Sequence, residues 1–316
     1  RSPADKLRGI GAERFPELSA ELRELTGIDN GYRRGGAIEF LSADDADVVE
    51  VWRTEGIAFE RLSPADARRL EPLGAVEGDA YLLPGCAQVR NPRHLRALVA
   101  GCTAAGVRLR PHTAAEAWES EGPRVSGVRL ADGGAVRAGR FLLAAGAWSG
   151  PLLRQLGAAP QVFPVRGQIA LLRGPSASRV LMLGKRYLVP RGDGLTLVGS
   201  TEEPEAGFEK GNTAAGVDEL LRFARATVPP LDDATLETAW SGLRPGSPDG
   251  LPFIGPVPGV GNVFVAAGHF RAGVQLSIGT ALAVADLLTG RPPCVDLRAF
   301  AFDRKPQAGA KSAFRS

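Results

Sequence analysis

The stretch VFVAAGHFRAGVQLSIGTALAVADLL, residues 263–288, decides how this chain is read. VFVAAG (263–268) has the continuous apolar character of a buried strand. From Val274 to Leu288 apolar residues recur at helical spacing, interrupted by Gln275, Ser277, Thr280 and Asp286, which predicts a core helix instead of a membrane span. Between the two lies a tight corner, Gly268-His269-Phe270-Arg271-Ala272-Gly273. Glycines at such a corner let something come very close to the backbone. An arginine placed there needs a reason.

The same design occurs once more upstream. FLLAAGAWSGPLLRQLG (141–157) reads as a buried strand, a glycine corner and a helix, and its corner AAGAWSG (144–150) again follows Ala-Ala-Gly. In open α/β sheets, ligands dock at the carboxyl ends of strands, beside helix N-termini. Either corner alone is equally readable as an economical turn. Two in one chain, one of them bearing Arg271, favour a ligand site.

The rest of the chain alternates in texture. Segments 91–150 and 251–306 are αβ-type, whereas 1–90 and 151–250 are β-rich, the pattern of two domains sharing a chain that crosses between them more than once. Helices are predicted over 13–26, 44–55, 63–72, 91–106 and 213–227, and strands over 37–41, 80–84, 107–112, 114–119, 125–130 and 134–138. The segment WSGLRPGSPDGLPFIGPVPGVGN (240–262) reads as loop. Within it Arg244 stands between Gly242 and Pro245, braced by Pro248 and Pro252. A held guanidinium is a natural receptor for a carboxylate, because its fork donates two parallel hydrogen bonds. An ion-paired surface arginine is the competing reading.

Composition excludes several classes. With 316 residues, 44% hydrophobic and 23% charged, the chain has the make-up of an ordinary globular protein with ample core. A net charge of +3 gives no basis for nucleic-acid binding or attachment to an anionic membrane. Cys86, Cys102 and Cys294 are odd in number and lack metal-ligand spacing, which suggests reduced thiols and a cytoplasmic setting. The three histidines, His94, His112 and His269, are scattered, so no metal site is expected. Gly9-Ile10-Gly11 and Gly259-Val260-Gly261 do not sit between a strand and a helix, and GHFRAG lacks the Lys-Ser or Lys-Thr of a P-loop. No Gly-x-Ser-x-Gly elbow is present.

GLRPGSPDGLPFIGP (242–256), followed by VFVAAGHFRAGVQLSIGTALAVADLL, resembles the C-terminal signature of the D-amino-acid oxidase superfamily, and within it the glycine-oxidase group of thiamine biosynthesis. GIDNGYRRGGAIEF (27–40), AAGAWSG, FPVRGQIALL (163–172), YLVPRGDGLTLVGST (187–201) and FDRKP (302–306) keep the same order and spacing. The resemblance implies a mixed α/β fold, in which a Rossmann-like FAD-binding domain is interleaved with a β-rich, antiparallel substrate domain. It also implies that the family's Gly-x-Gly-x-x-Gly precedes Arg1, leaving this chain short of about the first fifty residues, one βαβ unit and its loop.

By matching position, Arg244 would bind the substrate carboxylate, Arg271 would sit beside it and Tyr187 would close the pocket. Gly146, Trp148 and the run Gly268, His269, Phe270, Arg271, Ala272, Gly273, Val274 and Gln275 would line the flavin, with Ala115 at its adenine side. Where Ala272 stands, the family usually has a larger polar residue. The implied reaction is oxidation of glycine or a similar small amino acid or amine by hydride transfer to FAD, with O2 as acceptor and H2O2 as product. A quinone-linked amino-acid dehydrogenase of the same superfamily and a fragment unable to hold FAD remain the alternatives. Assembly into a homo-oligomer is left open.

Overall fold

A computed structural model describes residues 2–158 and 162–304. Lys305 and Pro306 of the FDRKP motif lie outside the described residues. In chain order the elements are α1 (Pro3–Thr26), β1 (Arg33–Arg34), β2 (Ala37–Leu41), α2 (Ala46–Glu55), β3 (Glu60–Leu62), α3 (Pro64–Leu70), β4 (Asp79–Leu83) and β5 (Ala87–Gln88). Then come α4 (Asn91–Ala104), β6 (Ala115–Glu121), β7 (Arg124–Leu130), β8 (Ala135–Arg137), β9 (Phe141–Leu143) and α5 (Ser149–Gln155). The chain continues through β10 (Phe163–Arg173), β11 (Val180–Leu183), β12 (Arg186–Pro190), β13 (Leu195–Gly199), α6 (Ala214–Thr227) and β14 (Thr235–Gly246). It closes with β15 (Phe253–Pro256), β16 (Val263–Ala267) and α7 (Gly273–Thr289). The fold is mixed α/β.

Contacts group the chain into two compact units. Of the described residues, one gathers 2–30, 91–158, 162–165 and 244–304, the other 31–90 and 166–243. In the first unit β16 is the central strand of a three-stranded sheet, antiparallel to β15 and parallel to β9, with Val263, Phe264 and Val265 opposite Phe141, Leu142 and Leu143. Phe141, Leu143, Leu153, Val263 and Val265 form one core, and Leu7, Ile254, Leu276, Ala283 and Phe300 another. β6, β7 and β8 form a separate antiparallel sheet.

The helix that opens the chain is longer than its 13–26 apolar pattern suggests. Ser2 accepts from the Asp5 amide while Asp5 reaches back to the Ser2 amide, a capping box that fixes the start at Pro3. Pro16 lies inside this helix, and Gly27 ends it in the left-handed conformation. α1 lies along α7 at glycine contact points. A Cβ on Gly11 would meet the Gln275 carbonyl oxygen at 2.3 Å, and one on Gly279 would meet that of Leu7 at 2.6 Å. By length and composition Phe270–Thr289, of mean hydropathy 1.4, would suffice to cross a membrane. Leu276, Gly279, Thr280, Ala283 and Val284 are instead buried in the packing of α7 within its unit.

The second unit is built on an eight-stranded sheet in the order β14-β10-β13-β12-β11-β2-β4-β3, antiparallel in its described pairings except between β11 and β2. One face packs Ile38, Leu172, Leu181, Leu188 and Val198 against Leu220 and Ala224 of α6. On the other, Trp52 of α2 meets Tyr81 edge-on at 5.6 Å.

Two expectations are corrected. Residues 107–112 form no strand: Val107 and Leu109 are 50% and 45% exposed, and the backbone turns at His112 with φ of +58°. Alternating apolar residues make a strand only where a partner covers one face, and none of the described strands pairs here. Arg244 is also not in a loop, for Thr235–Gly246 is one continuous strand. Gly242 and Pro245 are tolerated because β14 is the edge of its sheet, where a missing N–H breaks no ladder. Arg244 is therefore aimed by strand geometry, one residue before a proline.

Candidate functional site

The two glycine corners, far apart in sequence, are neighbours in space. β9 and β16 run parallel and in register, so their carboxyl ends deliver residues 144–149 and 268–273 side by side. That is the edge at which an open α/β sheet receives ligands.

Each corner has the backbone a close-approaching group requires. Gly146 and Gly268 have φ of +55° and +82°, which an L-residue adopts only with strain. Phe270 takes φ of +46° despite its bulk, a strain of about 1–3 kcal/mol that the surrounding structure must hold. α7 begins here with Ala272 as N-cap, buried and unable to cap with its side chain, so no side-chain cap satisfies its first-turn amides.

The corners also hold two buried hydroxyls that sequence reasoning did not single out. Ser149 is fully buried and Ser247 is 8% exposed, and the Oγ of each has no hydrogen-bond partner among the described residues. Leaving a buried hydroxyl unpaired costs about 1–3 kcal/mol. One lies in each of the segments that converge here: Ser149 follows Trp148 in the first corner, and a Cβ on Gly268 would lie 3.5 Å from the Ser247 Cβ. A serine carries no periodic signal, so only the fold shows that Ser247 lies beside Gly268.

The same approach relates the two arginines. Ser247 is three residues after Arg244, and Gly268 three before Arg271, so the segments carrying both half-buried guanidiniums meet in the first unit. The turn beyond Arg244 is braced by a pair the sequence did not reveal. Asp249 takes a two-pronged contact from Arg304, with Oδ2 to Nε at 2.7 Å and Oδ1 to Nη2 at 2.8 Å. Arg304 also donates to the carbonyls of Leu251 (2.8 Å) and Pro252 (3.1 Å), and its guanidinium lies 3.9 Å over the Phe253 ring. Burial alone would raise the Asp249 carboxyl, but hydrogen bonds from Arg304 and the Leu251 amide hold it below its ordinary value.

His269 adds a neutral ring. Burial lowers its pKa to about 4, so the imidazole is uncharged at neutral pH, and Nε2 is 3.1 Å from Thr280 Oγ1, about two turns into α7. Trp148 is 45% exposed beside Ser149. Ala115 opens β6, paired with Leu130, and is exposed. Tyr187 belongs to the second unit, half-buried on β12 with Gly199 as its cross-strand partner.

That second unit also contains a polar cavity of about 400 Å³ lined by Gln168, Arg186, Glu203, Thr213 and neighbouring residues. Its central carboxylate is saturated: Glu203 accepts from Arg166 Nε at 2.9 Å, from Gln168 Nε2 at 2.8 Å and from Thr201 Oγ1. Such closed pairing marks a structural network and leaves the glycine corners as the candidate site.

Close backbone approach, a helix start without a side-chain cap and two buried hydroxyls with no partner among the described residues fit a large planar cofactor with polar edges. Comparison with known proteins identifies it. The family model of FAD dependent oxidoreductases, DAO, matches residues 2–287. Glycine oxidase from Pseudomonas putida is 39% identical over 288 residues, covering 89% of this chain and 78% of that protein. The bifunctional protein ThiO/ThiG of Nostoc sp. is 33% identical over 283 residues, 87% of this chain and 42% of that protein. The crystal structure of glycine oxidase from Geobacillus kaustophilus superposes with a TM-score of 0.90 at 32% identity, covering 96% of this chain and 84% of that one. The chain belongs to the DAO family and is an FAD-dependent amino-acid oxidase.

Proposed function

We propose that this enzyme oxidises glycine or a similarly small amino acid or secondary amine, passes the electrons to O2, and serves thiamine biosynthesis in the cytoplasm. The observation that supports the reading is the approach of Ser247, three residues after Arg244, to Gly268, three residues before Arg271, with no partner for the Ser247 hydroxyl among the described residues. Identity to glycine oxidases and to ThiO/ThiG supports the substrate size and the pathway.

In this reading the unit built on β9 and β16 holds the flavin, and the eight-stranded unit serves the substrate. Gly146, Trp148 and Gly268 to Gln275 would line the cofactor, with Ala115 at its adenine side. FAD supplies a two-electron oxidation of the substrate's Cα–N bond. Arg244 forks onto the substrate carboxylate and fixes Cα, while Arg271 adds a second positive charge beside it. The positive end of α7 favours negative charge that develops beside it. His269, uncharged, keeps its place through Thr280 without adding a competing cation. Tyr187 donates its hydroxyl to the substrate. No side-chain base is assigned, so the amine binds neutral. The substrate loses two electrons and two protons to become an imine, water releases a 2-oxo acid with ammonia from a primary amine or the corresponding primary amine from a secondary one, and O2 takes the electrons and protons to become H2O2.

The test is oxygen uptake and peroxide formation by the flavin-loaded enzyme on glycine, sarcosine and larger D- and L-amino acids. Equal uptake and peroxide on the small substrates supports the proposal. Turnover only when a quinone replaces O2 refutes the oxidase assignment.

A further inference from the structure

The cross-strand partner of Tyr187 is Gly199, and Gly199 is in turn paired with Ile169 of β10, so it lies in the interior of the sheet. A glycine in the middle of a strand weakens it, because it costs entropy and packs nothing, and so it often marks a place where another group comes close. Here that group is visible. A Cβ on Gly199 would stand 2.4 Å from Tyr187 Cζ, 2.5 Å from Cε2 and 2.6 Å from the hydroxyl oxygen. The contacts are with the far end of the ring. The phenol therefore lies across β13, over the bare backbone of Gly199, with its hydroxyl above the strand instead of standing off into solvent.

Alternation along β12 fixes which face this is. Leu188 is buried against the α6 core, so Tyr187, one residue earlier, occupies the opposite face. A strand residue at position 199 that carried any side chain would fill the space the phenol occupies. We infer that Gly199 is a positioning residue for Tyr187, setting where its hydroxyl meets the substrate; the inference rests on the proposed role of Tyr187 in substrate binding. A glycine beneath an aromatic also has a purely structural reading, since cross-strand rings stabilise glycine positions in sheets. The two readings predict different kinetics.

An ordinary carbon–carbon contact is about 3.5 Å, so a methyl at 199 moves the phenol end by about 1 Å or swings it off the strand. Displacements of that size near reacting groups cost up to about 100-fold in rate. The experiment measures glycine kinetics and thermal unfolding of the flavin-loaded enzyme carrying Gly199→Ala, Tyr187→Phe, Tyr187→Ala, or Gly199→Ala with Tyr187→Ala. Gly199→Ala is expected to lower kcat/KM about 10- to 100-fold, chiefly through KM, whereas Tyr187→Phe loses about 2- to 13-fold, the worth of one hydroxyl contact. With Tyr187 already alanine, Gly199→Ala should change KM less than about twofold, because the ring it displaces is gone.

Equal losses from Gly199→Ala in both backgrounds, or no loss in the parent, overturn the inference. If Tyr187→Ala impairs glycine oxidation and Gly199→Ala does not, the inference alone falls. If Tyr187→Ala is itself without effect, the assignment of Tyr187 to the substrate falls and takes the inference with it. Should Gly199→Ala fail to fold, recovery of folding in the double variant supports the ring clash, and persistent misfolding contradicts it.

Discussion

Replacing Arg244 by alanine separates a carboxylate receptor from a structural arginine. Arg244 is half-buried near the end of β14, followed by Pro245 and by Gly246, where a Cβ would meet the Phe163 ring at 2.5 Å. Its backbone is thus held from the strand side, and the Asp249–Arg304 pair holds the turn that follows. Truncating one member of a desolvated charge pair costs about 2–5 kcal/mol. Because Arg244 retains some exposure, the lower part of that range applies, about 2–3.5 kcal/mol. At about 1.4 kcal/mol per decade, kcat/KM for glycine should fall about 30- to 300-fold. Arg244→Lys should recover only part of this, since an ammonium cannot reproduce the planar fork. The loss should also be selective: an alkylamine lacking a carboxylate gains nothing from Arg244, so its poor turnover should barely change. The assay is steady-state kinetics on glycine and on such an amine, after flavin content has been matched. Equal losses on both substrates with flavin retained would refute the reasoning and make Arg244 a support of the fold.

Other consequences concern the scaffold. Burial lowers the His269 pKa from its ordinary 6.5 to about 4, so between those pH values the unfolded chain binds more protons and stability falls on acidification, by on the order of 3 kcal/mol. Urea denaturation at pH 7 and pH 4.5 should show this slope flattened in His269→Gln, and parallel slopes would reject it. Gly279→Ala should destabilise by about 1–3 kcal/mol despite alanine's better helix propensity, because its methyl meets the Leu7 backbone; unchanged stability in denaturant would mean that α1 yields freely. Arg304→Ala leaves Asp249 charged and buried and should cost about 3–5 kcal/mol in chemical denaturation. A loss below about 1 kcal/mol would show that the pair is solvated.

The local structure of the candidate site was legible in the sequence, for reasons specific to its residues. The corners announced themselves because a buried strand, a glycine pair and an apolar helix follow one another without a break, and each step has its own period. Arg244 stood out through its prolines, yet those same prolines misled: read as a loop, the segment is an edge strand, and edge position is a property of the whole sheet. Residues 107–112 failed for the converse reason, since alternation without a covering partner leaves Val107 and Leu109 exposed. Ser149, Ser247, the Asp249–Arg304 pair and Gly199 were invisible because each is defined by a contact distant in the chain or by the lack of a partner among the described residues. A single sequence does not encode such distances.

The central claim is that the paired glycine corners hold FAD and present a small amino acid to it. Its most direct test mixes the oxidised, flavin-loaded enzyme with glycine in the absence of oxygen and follows the visible absorbance of the flavin. The account predicts that glycine bleaches the spectrum, that admitting air restores it, and that about one H2O2 appears per flavin, since each oxidation moves two electrons. A spectrum unmoved by glycine and by every other small amino acid or secondary amine would contradict it.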